Sequence, residues 1–292
     1  MKRLTLFCWS VLAICHLALA QHGKVLEGKT IKSTILGKDV RYSVYLPPDY
    51  ETSDRKYPVV YLLHGYTDDD TGWLQFGEVN RYADKAIADG TIPPMIIVMP
   101  DGGVSWYINS YDGKVNYEDF FVNELIPFVE KGFRIRANKR FRGICGLSMG
   151  GHGSFIMALK HPDLFAAAAP LSAAIFSDDD MAQTPDDRYE SVFGILYGKG
   201  LKGKDRLNDT WNKNSAIKLA QTLPEADLKK VRWWIDCGDD DFLINGNMAL
   251  NKIFNDRKIP HEFRVREGAH TWTYWRTGIV EALQFIGQSF HQ

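Results

Sequence analysis

Continuous apolar runs recur along the chain and set its overall pattern. They read YPVVYLLHG, MIIVMPDGG, FRGICGLS, FAAAAPLSAA, VRWWIDCGDDD and, less clearly, HEFRVREGAH. Runs of this length predict strands that are buried on both faces of a sheet. An earlier stretch, DVRYSVYLPPDY, alternates apolar and polar residues and predicts a half-buried strand.

Helical patterns separate these runs. In YEDFFVNELIPFVEKGF, apolar residues fall at helical spacing, although Pro127 should kink or limit that helix. Helices are also predicted over residues 149–160, 242–257 and 272–290. Strands that alternate with helices predict an α/β fold with a mostly parallel central sheet and helices on both faces. In such sheets, ligand sites lie beyond the carboxyl ends of the strands.

Residues 177–230 interrupt the alternation. This segment is polar and irregular, carries scattered aromatic residues, and has one helical pattern, SAIKLAQTL. We interpret it as an excursion between two strands, which either covers the sheet edge near the site or forms a surface insertion without a role. No repeat, low-complexity block or linker divides the chain, so we expect residues 21–292 to form one domain.

The first twenty residues differ from the rest. Two basic residues precede an apolar stretch that ends in Ala-Leu-Ala before Gln21. This pattern is typical of a secretory signal peptide, residues 1–20, and predicts a secreted or periplasmic protein. An uncleaved membrane anchor is the alternative, but the run is short for a span. A lipoprotein signal would have to modify Cys15, which follows the bulky Ile14. No later stretch is apolar enough to span a bilayer, so we expect no stable membrane anchor.

Composition narrows the classes of partner. The 292 residues are 45% hydrophobic, which supplies a large core, and the net charge of −1 gives no reason to expect a nucleic-acid partner. The aromatic share of 13% leaves some rings to line a binding surface. Removal of the leader would leave two cysteines, Cys145 and Cys237, both in strand-like runs. We expect buried free thiols rather than a disulfide framework.

The most informative short motif is Gly146-Leu147-Ser148-Met149-Gly150. It follows a predicted strand and precedes a predicted helix, which is the context of the G-x-S-x-G nucleophile elbow. Glycines are needed on both sides because the strand turns so sharply into the helix. The turn would expose the Ser148 hydroxyl at the end of the sheet, so Ser148 is the candidate nucleophile; an ordinary glycine turn is the alternative.

A serine hydroxyl needs a histidine base, and His270 fits best. It lies in REGAHTWTYW, after the last predicted strand and before the last helix. In the elbow architecture the acid and then the histidine follow the serine along the chain. The other histidines come too early, lie near the termini of the mature chain, or fall within another element. The alternative is a loop histidine that packs against Trp272.

The acid that orients His270 should follow the preceding strand. That loop offers Asp239, Asp240 and Asp241, while Asp236 lies within the strand itself. Asp241 ends the loop beside an apolar helix start and is our candidate. We expect Asp239 and Asp240 to be solvated carboxylates or helix N-caps.

Two backbone N–H groups should stabilise the oxyanion. Met149 follows the nucleophile and would supply one; Tyr66, in YLLHGYTDDD after an earlier strand, would supply the other. Candidate substrate contacts are Trp106 and Tyr107, in PDGGVSWYINS, and Trp272 beside the histidine. As an alternative, Trp106 and Tyr107 would only seal the edge of the core.

Two acidic triplets, residues 68–70 and 178–180, could suggest a metal site. Neither is joined by a histidine or glutamate at ligand spacing, so we expect solvated loops. The elbow chemistry also needs no metal and no organic cofactor, and we expect neither.

Together these motifs resemble the esterase D-like family of α/β-hydrolases. The segments that carry the resemblance are LLHGYTDDDTGW, MPDGGVSWYINS, YEDFFVNELIPFVE, CGLSMGGHGSFIMALKHPDLF, IDCGDDDFL and GAHTWTYWR. The family includes feruloyl esterases, carbohydrate acetyl esterases, S-formylglutathione hydrolases and mycolyltransferases. The resemblance implies an α/β-hydrolase fold with Ser148, Asp241 and His270 as catalytic triad, and with the N–H groups of Tyr66 and Met149 as oxyanion hole.

The resemblance and the leader together predict a secreted serine esterase of the carbohydrate-esterase type. Such an enzyme would remove feruloyl or acetyl groups from plant xylan, so its partner would be an acylated oligo- or polysaccharide. One alternative is a general short-chain ester hydrolase or acyltransferase without a polysaccharide role. Another is a secreted binding protein with an inactive site on the same scaffold.

Overall fold

An eight-stranded sheet forms the centre of the molecule. The computed structural model describes residues 22–290, so the predicted signal peptide, residues 1–20, lies outside the described residues. The strands are β1 (Lys24–Ser33), β2 (Lys38–Leu46), β3 (Val59–Leu63), β4 (Ile96–Pro100), β5 (Arg142–Leu147), β6 (Ala167–Leu171), β7 (Arg232–Gly238) and β8 (His261–Arg266).

The order across the sheet is β1-β2-β4-β3-β5-β6-β7-β8. Strands β1 and β2 pair antiparallel, and β2 pairs antiparallel with β4. All other neighbours pair parallel. The predicted α/β architecture with a mostly parallel sheet is therefore confirmed. Because β3 to β8 are parallel, the loops that follow them all open at one edge of the sheet.

Thirteen α-helices connect and flank the strands within the described part of the chain. They are α1 (Gly72–Gln75), α2 (Val79–Ala88), α3 (Tyr117–Phe120), α4 (Ile126–Gly132), α5 (Met149–Lys160), α6 (Asp178–Gln183), α7 (Asp186–Val192), α8 (Gly194–Tyr197), α9 (Asp209–Asn214), α10 (Ala216–Thr222), α11 (Glu225–Leu228), α12 (Ile244–Asp256) and α13 (Trp272–Ser289). None of these helices is long and apolar enough to cross a membrane.

Alternate residues of the central strands face two separate hydrophobic clusters. Tyr61 on β3 packs with residues of α5 and α12 on one face. Its neighbour Leu62 packs with residues of α2 and α13 on the other. Burial on both faces explains why these strands read as continuous apolar runs, and it confirms the prediction of helices on both faces.

Strand β1 did not stand out in the sequence. It lies at the edge of the sheet and is largely exposed, so it has no apolar periodicity. A bulge between Leu26 and Lys29, with Gly28 at a φ of 61°, interrupts its pairing with β2. An exposed and bulged edge strand carries little of the pattern from which strands are predicted.

The helical segment around Pro127 is irregular, as expected. A π-helical turn, Phe121–Leu125, joins α3 to α4. Pro127 cannot donate a hydrogen bond to the carbonyl four residues earlier, and its ring would clash with that carbonyl in a regular α-helix. The wider turn places the irregularity just before the proline and lets the segment continue.

The excursion of residues 177–230 is more regular than we expected. It contains the six helices α6 to α11 and a short 3-10 helix, Gly203–Arg206. The short helices are held by local caps, such as the capping box between Ser177 and Asp180. The segment also buries aromatic side chains, Tyr189, Phe193, Tyr197 and Trp211 among them. Such short helices have too few turns to give a clear periodic signal.

Candidate active site

Ser148 occupies the turn between β5 and α5. Its backbone has φ 55° and ψ −115°, a conformation that residues other than glycine rarely adopt. The Ser148 N–H donates to the Leu171 carbonyl, 3.0 Å away, and the Ser148 carbonyl accepts from Ala174, also at 3.0 Å. Strand β6 and the loop after it therefore hold the turn in its strained form.

The glycines of the motif leave room for this turn. A Cβ on Gly146 would lie 2.6 Å from the carbonyl carbon of Gly150. A Cβ on Gly150 would lie 2.6 Å from the His64 carbonyl oxygen, in the loop after β3. Both contacts are with backbone atoms that cannot move aside. The structure thus gives the steric reason for glycine at each position.

The structure brings the serine, histidine and aspartate of the prediction together. Nε2 of His270 lies 2.9 Å from Oγ of Ser148. Nδ1 of the same ring lies 2.8 Å from Oδ2 of Asp241. The three side chains thus form one hydrogen-bonded line at the carboxyl edge of the sheet, although Ser148 and His270 are 122 residues apart in the sequence.

Asp241 is held as a carboxylate. Its side chain is buried, which by itself raises the pKa, but hydrogen bonds from His270, the Leu243 N–H and the Ser172 hydroxyl outweigh burial. The net effect lowers the pKa of Asp241 below its ordinary value. The Ser172 hydroxyl is itself fixed by Nε1 of Trp275, at 3.0 Å. A carboxylate in this position fixes the tautomer with the proton on Nδ1 of His270.

The loops that carry the acid and the base are joined to each other. The Gly268 N–H donates to Oδ1 of Asp239 at 2.9 Å, and the Asp240 N–H donates to the Gly268 carbonyl at 3.1 Å. Asp239, Asp240 and Glu267 form an exposed acidic group whose oxygens lie within 4.8 Å of one another. Asp239 is therefore solvated, as predicted, and it also positions the loop that carries His270.

Two backbone N–H groups are available beside the nucleophile. Gly65 lies against Ser148, since a Cβ on Gly65 would be 3.7 Å from the serine Cβ. Tyr66 follows directly, and Met149 is the first residue of α5. Within residues 22–290, neither the Tyr66 nor the Met149 amide donates a hydrogen bond to the protein. Both amides are thus free to bind an oxyanion.

His64 connects the loop after β3 to the loop after β4. Its Nδ1 donates to the Gly65 carbonyl at 2.7 Å, and its Nε2 accepts from the Gly102 N–H at 2.8 Å. These partners require a neutral ring with the proton on Nδ1. The prediction dismissed this histidine because it precedes the serine; the structure shows that it holds the loop of Tyr66 in place.

Tyr107 does not contact the cavity, contrary to the prediction. Its ring is fully buried beneath Gly102 and Gly153, and its hydroxyl donates to the His64 carbonyl at 3.0 Å. Tyr107 and Trp106 both have left-handed φ angles, 59° and 53°. This sharp turn sends the two adjacent rings in different directions, which sequence spacing does not reveal.

A cavity of about 420 Å³ opens beside Ser148 and His270. Trp106 and Trp272, both predicted contacts, line it together with Tyr66. The Trp106 ring lies 6.3 Å from the Tyr66 ring and 5.2 Å from that of Phe193, centroid to centroid. These rings form an aromatic wall next to the nucleophile.

Several residues that line this cavity were missing from the prediction. Phe193, Val192 and Arg188 come from the excursion, and Phe242 precedes α12. The excursion therefore does reach the site. No motif marks these residues, because their place depends on how the short helices pack over the sheet edge. Phe242 could have been noticed as an aromatic residue directly after the candidate acid.

In the first acidic triplet, Asp70 is not solvated, contrary to the prediction, whereas the side chain of Asp69 remains 41% exposed. Asp70 is buried and accepts a hydrogen bond from the Ser43 hydroxyl at 2.6 Å, while Asp69 pairs with Arg41 at 2.8 Å. The second triplet, residues 178–180, forms the first turn of α6 rather than a loop. There the carboxylates lie at the positive end of a helix and Asp180 caps it.

The comparison with known proteins agrees with this geometry. Residues 33–286 match the family described as "Putative esterase". The chain is 31% identical over 261 residues to an esterase of Mycobacterium tuberculosis, an alignment that covers 82% of this chain and 54% of that protein. It is also 26% identical over 276 residues to an acetyl esterase of Caldicellulosiruptor saccharolyticus, which covers 91% of this chain and 96% of the relative.

Two further similarities concern feruloyl esterases. The chain is 33% identical over 175 residues to an endo-1,4-beta-xylanase/feruloyl esterase of Xylanibacter ruminicola, covering 58% of this chain and 24% of that protein. A solved structure of a ferulic acid esterase superposes with a TM-score of 0.80 at 33% identity, covering 92% of this chain and 99% of the other.

The chain spans about half the length of the mycobacterial relative, which is therefore a longer protein. The match to the family nevertheless extends over most of this chain, from β1 to α13. The resemblance that the sequence motifs predict is confirmed: this chain belongs to the esterase family of α/β-hydrolases.

Proposed function

We propose that this protein is a secreted serine carboxylic-ester hydrolase that removes feruloyl or acetyl groups from plant xylan. The observation that carries the proposal is the hydrogen-bonded line from Ser148 through His270 to Asp241 beside an open aromatic cavity. Each part needed for acyl transfer is present: a nucleophile, an oriented base and two free backbone donors.

In the first half of the reaction, Ser148 Oγ attacks the ester carbonyl while Nε2 of His270 takes the hydroxyl proton. The carbonyl oxygen becomes an oxyanion that accepts hydrogen bonds from the Tyr66 and Met149 N–H groups. The carbon–oxygen bond to the alcohol then breaks, and His270 gives the proton to the departing alcohol oxygen. The product is an acyl-enzyme on Ser148.

In the second half, water takes the place of the alcohol. His270 removes a proton from this water, which attacks the acyl-enzyme carbonyl. Collapse of the second oxyanion returns the proton to Ser148 and releases the carboxylic acid. Asp241 stays ionised throughout, because its contacts keep its pKa low, and it stabilises the imidazolium that forms twice in each cycle.

The cavity supports a planar aromatic acyl group. Trp106, Tyr66 and Phe193 form an aromatic lining next to the nucleophile, which suits a feruloyl group. The names of the relatives include both a feruloyl esterase and an acetyl esterase. An acetyl group would leave most of a cavity of about 420 Å³ unfilled, so we place feruloyl first.

The test is a panel of esters with mass detection of the released acids. It compares methyl ferulate, feruloylated arabinoxylan, acetylated xylan and p-nitrophenyl acetate. We expect the largest kcat/KM for the feruloyl esters. Turnover of p-nitrophenyl acetate alone would identify a general short-chain esterase, and transfer to an added alcohol in preference to water would identify an acyltransferase. Absence of turnover on every ester would contradict the proposal.

Secretion is a separate part of the proposal, supported by the sequence of residues 1–20. When the full chain is expressed in a bacterial host, we expect the protein in the periplasm or medium, with a mature N-terminus near Gln21. An intact N-terminus on cytoplasmic protein would contradict this part and leave the esterase assignment unaffected.

A further inference from the structure

A second cavity, of about 360 Å³, adjoins the cavity that holds Ser148. Both are lined by Arg188, Phe242 and Phe193, so the two cavities are neighbours that share part of their walls. The second cavity lies between α6, α7 and the start of α12. We call it the outer cavity. Its lining adds the polar side chains of Gln183 and Asn245, in contrast to the aromatic wall beside the nucleophile.

Phe242 marks the junction of the two cavities. Its side chain is 68% exposed, although it packs on the His270 ring with a centroid distance of 4.6 Å. An exposed aromatic face beside the catalytic base is open to a ligand. The apolar C–H face of a sugar ring packs well on such a surface, while its hydroxyls point to polar groups at the edge.

The chemistry of the reaction directs the alcohol toward this ring. The departing oxygen must come within hydrogen-bonding reach of Nε2 of His270, because that atom protonates it. The ester carbonyl oxygen points instead to the Tyr66 and Met149 amides. The alcohol part of the substrate therefore leaves along the imidazole, where Phe242 lies.

Unused polar groups line the same path. The side chains of Arg188, Gln183 and Asn245 make no hydrogen bond or ion pair with any other residue in the described range 22–290. All three are exposed. Between them they offer guanidinium and amide donors and two carbonyl acceptors, which is the mixture that binds sugar hydroxyls.

We propose that the outer cavity is a saccharide subsite that binds the sugar carrying the ester, with Phe242 as its platform. This inference rests on the proposed esterase function and names the alcohol side of its substrate. The subsite makes the enzyme prefer an ester on a saccharide to the same acyl group on a small alcohol.

The test compares two esters of the same acid, methyl ferulate and a feruloylated arabinoxylo-oligosaccharide. For the wild type we expect a higher kcat/KM on the saccharide ester. Phe242→Ala should lower the ratio of the two kcat/KM values roughly tenfold, the scale of losing an aromatic anchor. The double variant Gln183→Ala/Asn245→Ala changes two exposed residues and should also lower this ratio, mainly by raising KM for the saccharide ester.

A matched control is Phe128→Ala. This phenylalanine is 45% exposed on α4 and lines neither cavity, so its truncation should leave the ratio unchanged. A second readout uses the unesterified arabinoxylo-oligosaccharide. It should inhibit methyl ferulate hydrolysis by the wild type competitively, and more weakly in the Gln183→Ala/Asn245→Ala protein.

The subsite is overturned if the wild type does not prefer the saccharide ester, or if neither variant changes the ratio. In both cases methyl ferulate is still hydrolysed, so the esterase function would stand. Failure to hydrolyse either ester would instead refute the proposed function, and with it the inference.

Discussion

Gly150 is a single residue on which the geometry of the nucleophile depends. A side chain here would overlap the backbone carbonyl of His64, so we expect Gly150→Ala to lower the free energy of unfolding by about 3 kcal/mol. Urea unfolding measures this directly. Gly132→Ala is the control, because a Cβ there meets nothing within 4 Å and alanine favours the helix. Equal effects of the two changes would contradict the steric account.

Asp241 should act through its charge and its acceptor oxygens. We expect Asp241→Asn to reduce kcat by a factor of about 10⁴ with little change in KM, because an amide can donate to Nδ1 and impose the wrong tautomer on His270. Steady-state kinetics on a p-nitrophenyl ester measure the loss. Asp240→Asn, an exposed change in the same loop, should stay close to wild type. A full loss of activity in both variants, or in neither, would refute the assignment of the acid.

The three side chains that form the hydrogen-bonded line were predictable because each follows a strand in a short, recognisable context. Ser148 has its glycines, Asp241 ends an acidic loop, and His270 lies between the last strand and the last helix. Tyr107 was not predictable. Two consecutive left-handed residues send its ring into the core, and such a turn leaves no mark in a pattern of apolar and polar positions.

At the scale of elements, the site depends on hydrogen bonds between neighbouring loops. His64 joins the loop after β3 to the loop after β4 through both ring nitrogens. We expect His64→Leu to lower kcat on a p-nitrophenyl ester by about tenfold to a hundredfold, because the Tyr66 amide loses its fixed position. The buried Gly102 N–H also loses its partner, at a cost of about 1–3 kcal/mol of stability.

The two effects of His64→Leu can be separated. Kinetics are measured at a temperature where urea titration shows the variant fully folded. A lower kcat under these conditions supports the role in holding the oxyanion loop. An unchanged kcat with lower stability would show that His64 only supports the fold.

Element prediction succeeded for long apolar runs and long periodic helices, and it failed mainly for an exposed edge strand and for helices of only a few residues. The central strands β3 to β7 follow from their apolar runs, and α5, α12 and α13 were expected within two residues of their observed ends. Helix α2 was missed although it is ten residues long. Strand β1 and the short helices α1, α6 to α9 and α11 were also missed. Their stability comes from caps and tertiary packing rather than from a periodic apolar face.

At the scale of the whole molecule, the sheet separates two cores that together bury most apolar side chains. Cys145 and Cys237 are buried and free, which confirms the prediction of unpaired thiols. Burial raises the pKa of both thiols, so neither is a reactive thiolate near neutral pH.

One buried histidine should make the stability of the whole fold depend on pH. Burial lowers the pKa of His152 from 6.5 to about 4. A depressed pKa means that the unfolded chain binds the proton more readily, so stability is full above pH 6.5 and falls as the pH drops toward 4. Between pH 7.5 and pH 5 we expect a loss of about 2 kcal/mol from this residue.

Urea unfolding of the wild type and of His152→Gln at the two pH values measures this contribution. Glutamine can still donate to the Asn214 carbonyl, which His152 Nε2 contacts at 3.2 Å. The variant should lose about 2 kcal/mol less than the wild type on acidification. An identical pH dependence of the two proteins would show that His152 does not titrate as its burial predicts.

The central claim is that one serine, activated by His270 and Asp241, carries the chemistry. The most direct measurement is labelling with diethyl p-nitrophenyl phosphate, followed by peptide mass mapping and assay of p-nitrophenyl acetate hydrolysis. We expect one diethylphosphoryl group per chain, located on Ser148, with activity lost in proportion to labelling and with no label or turnover in a folded Ser148→Ala protein. A label on another residue, or turnover near the wild-type rate in folded Ser148→Ala, would contradict the account.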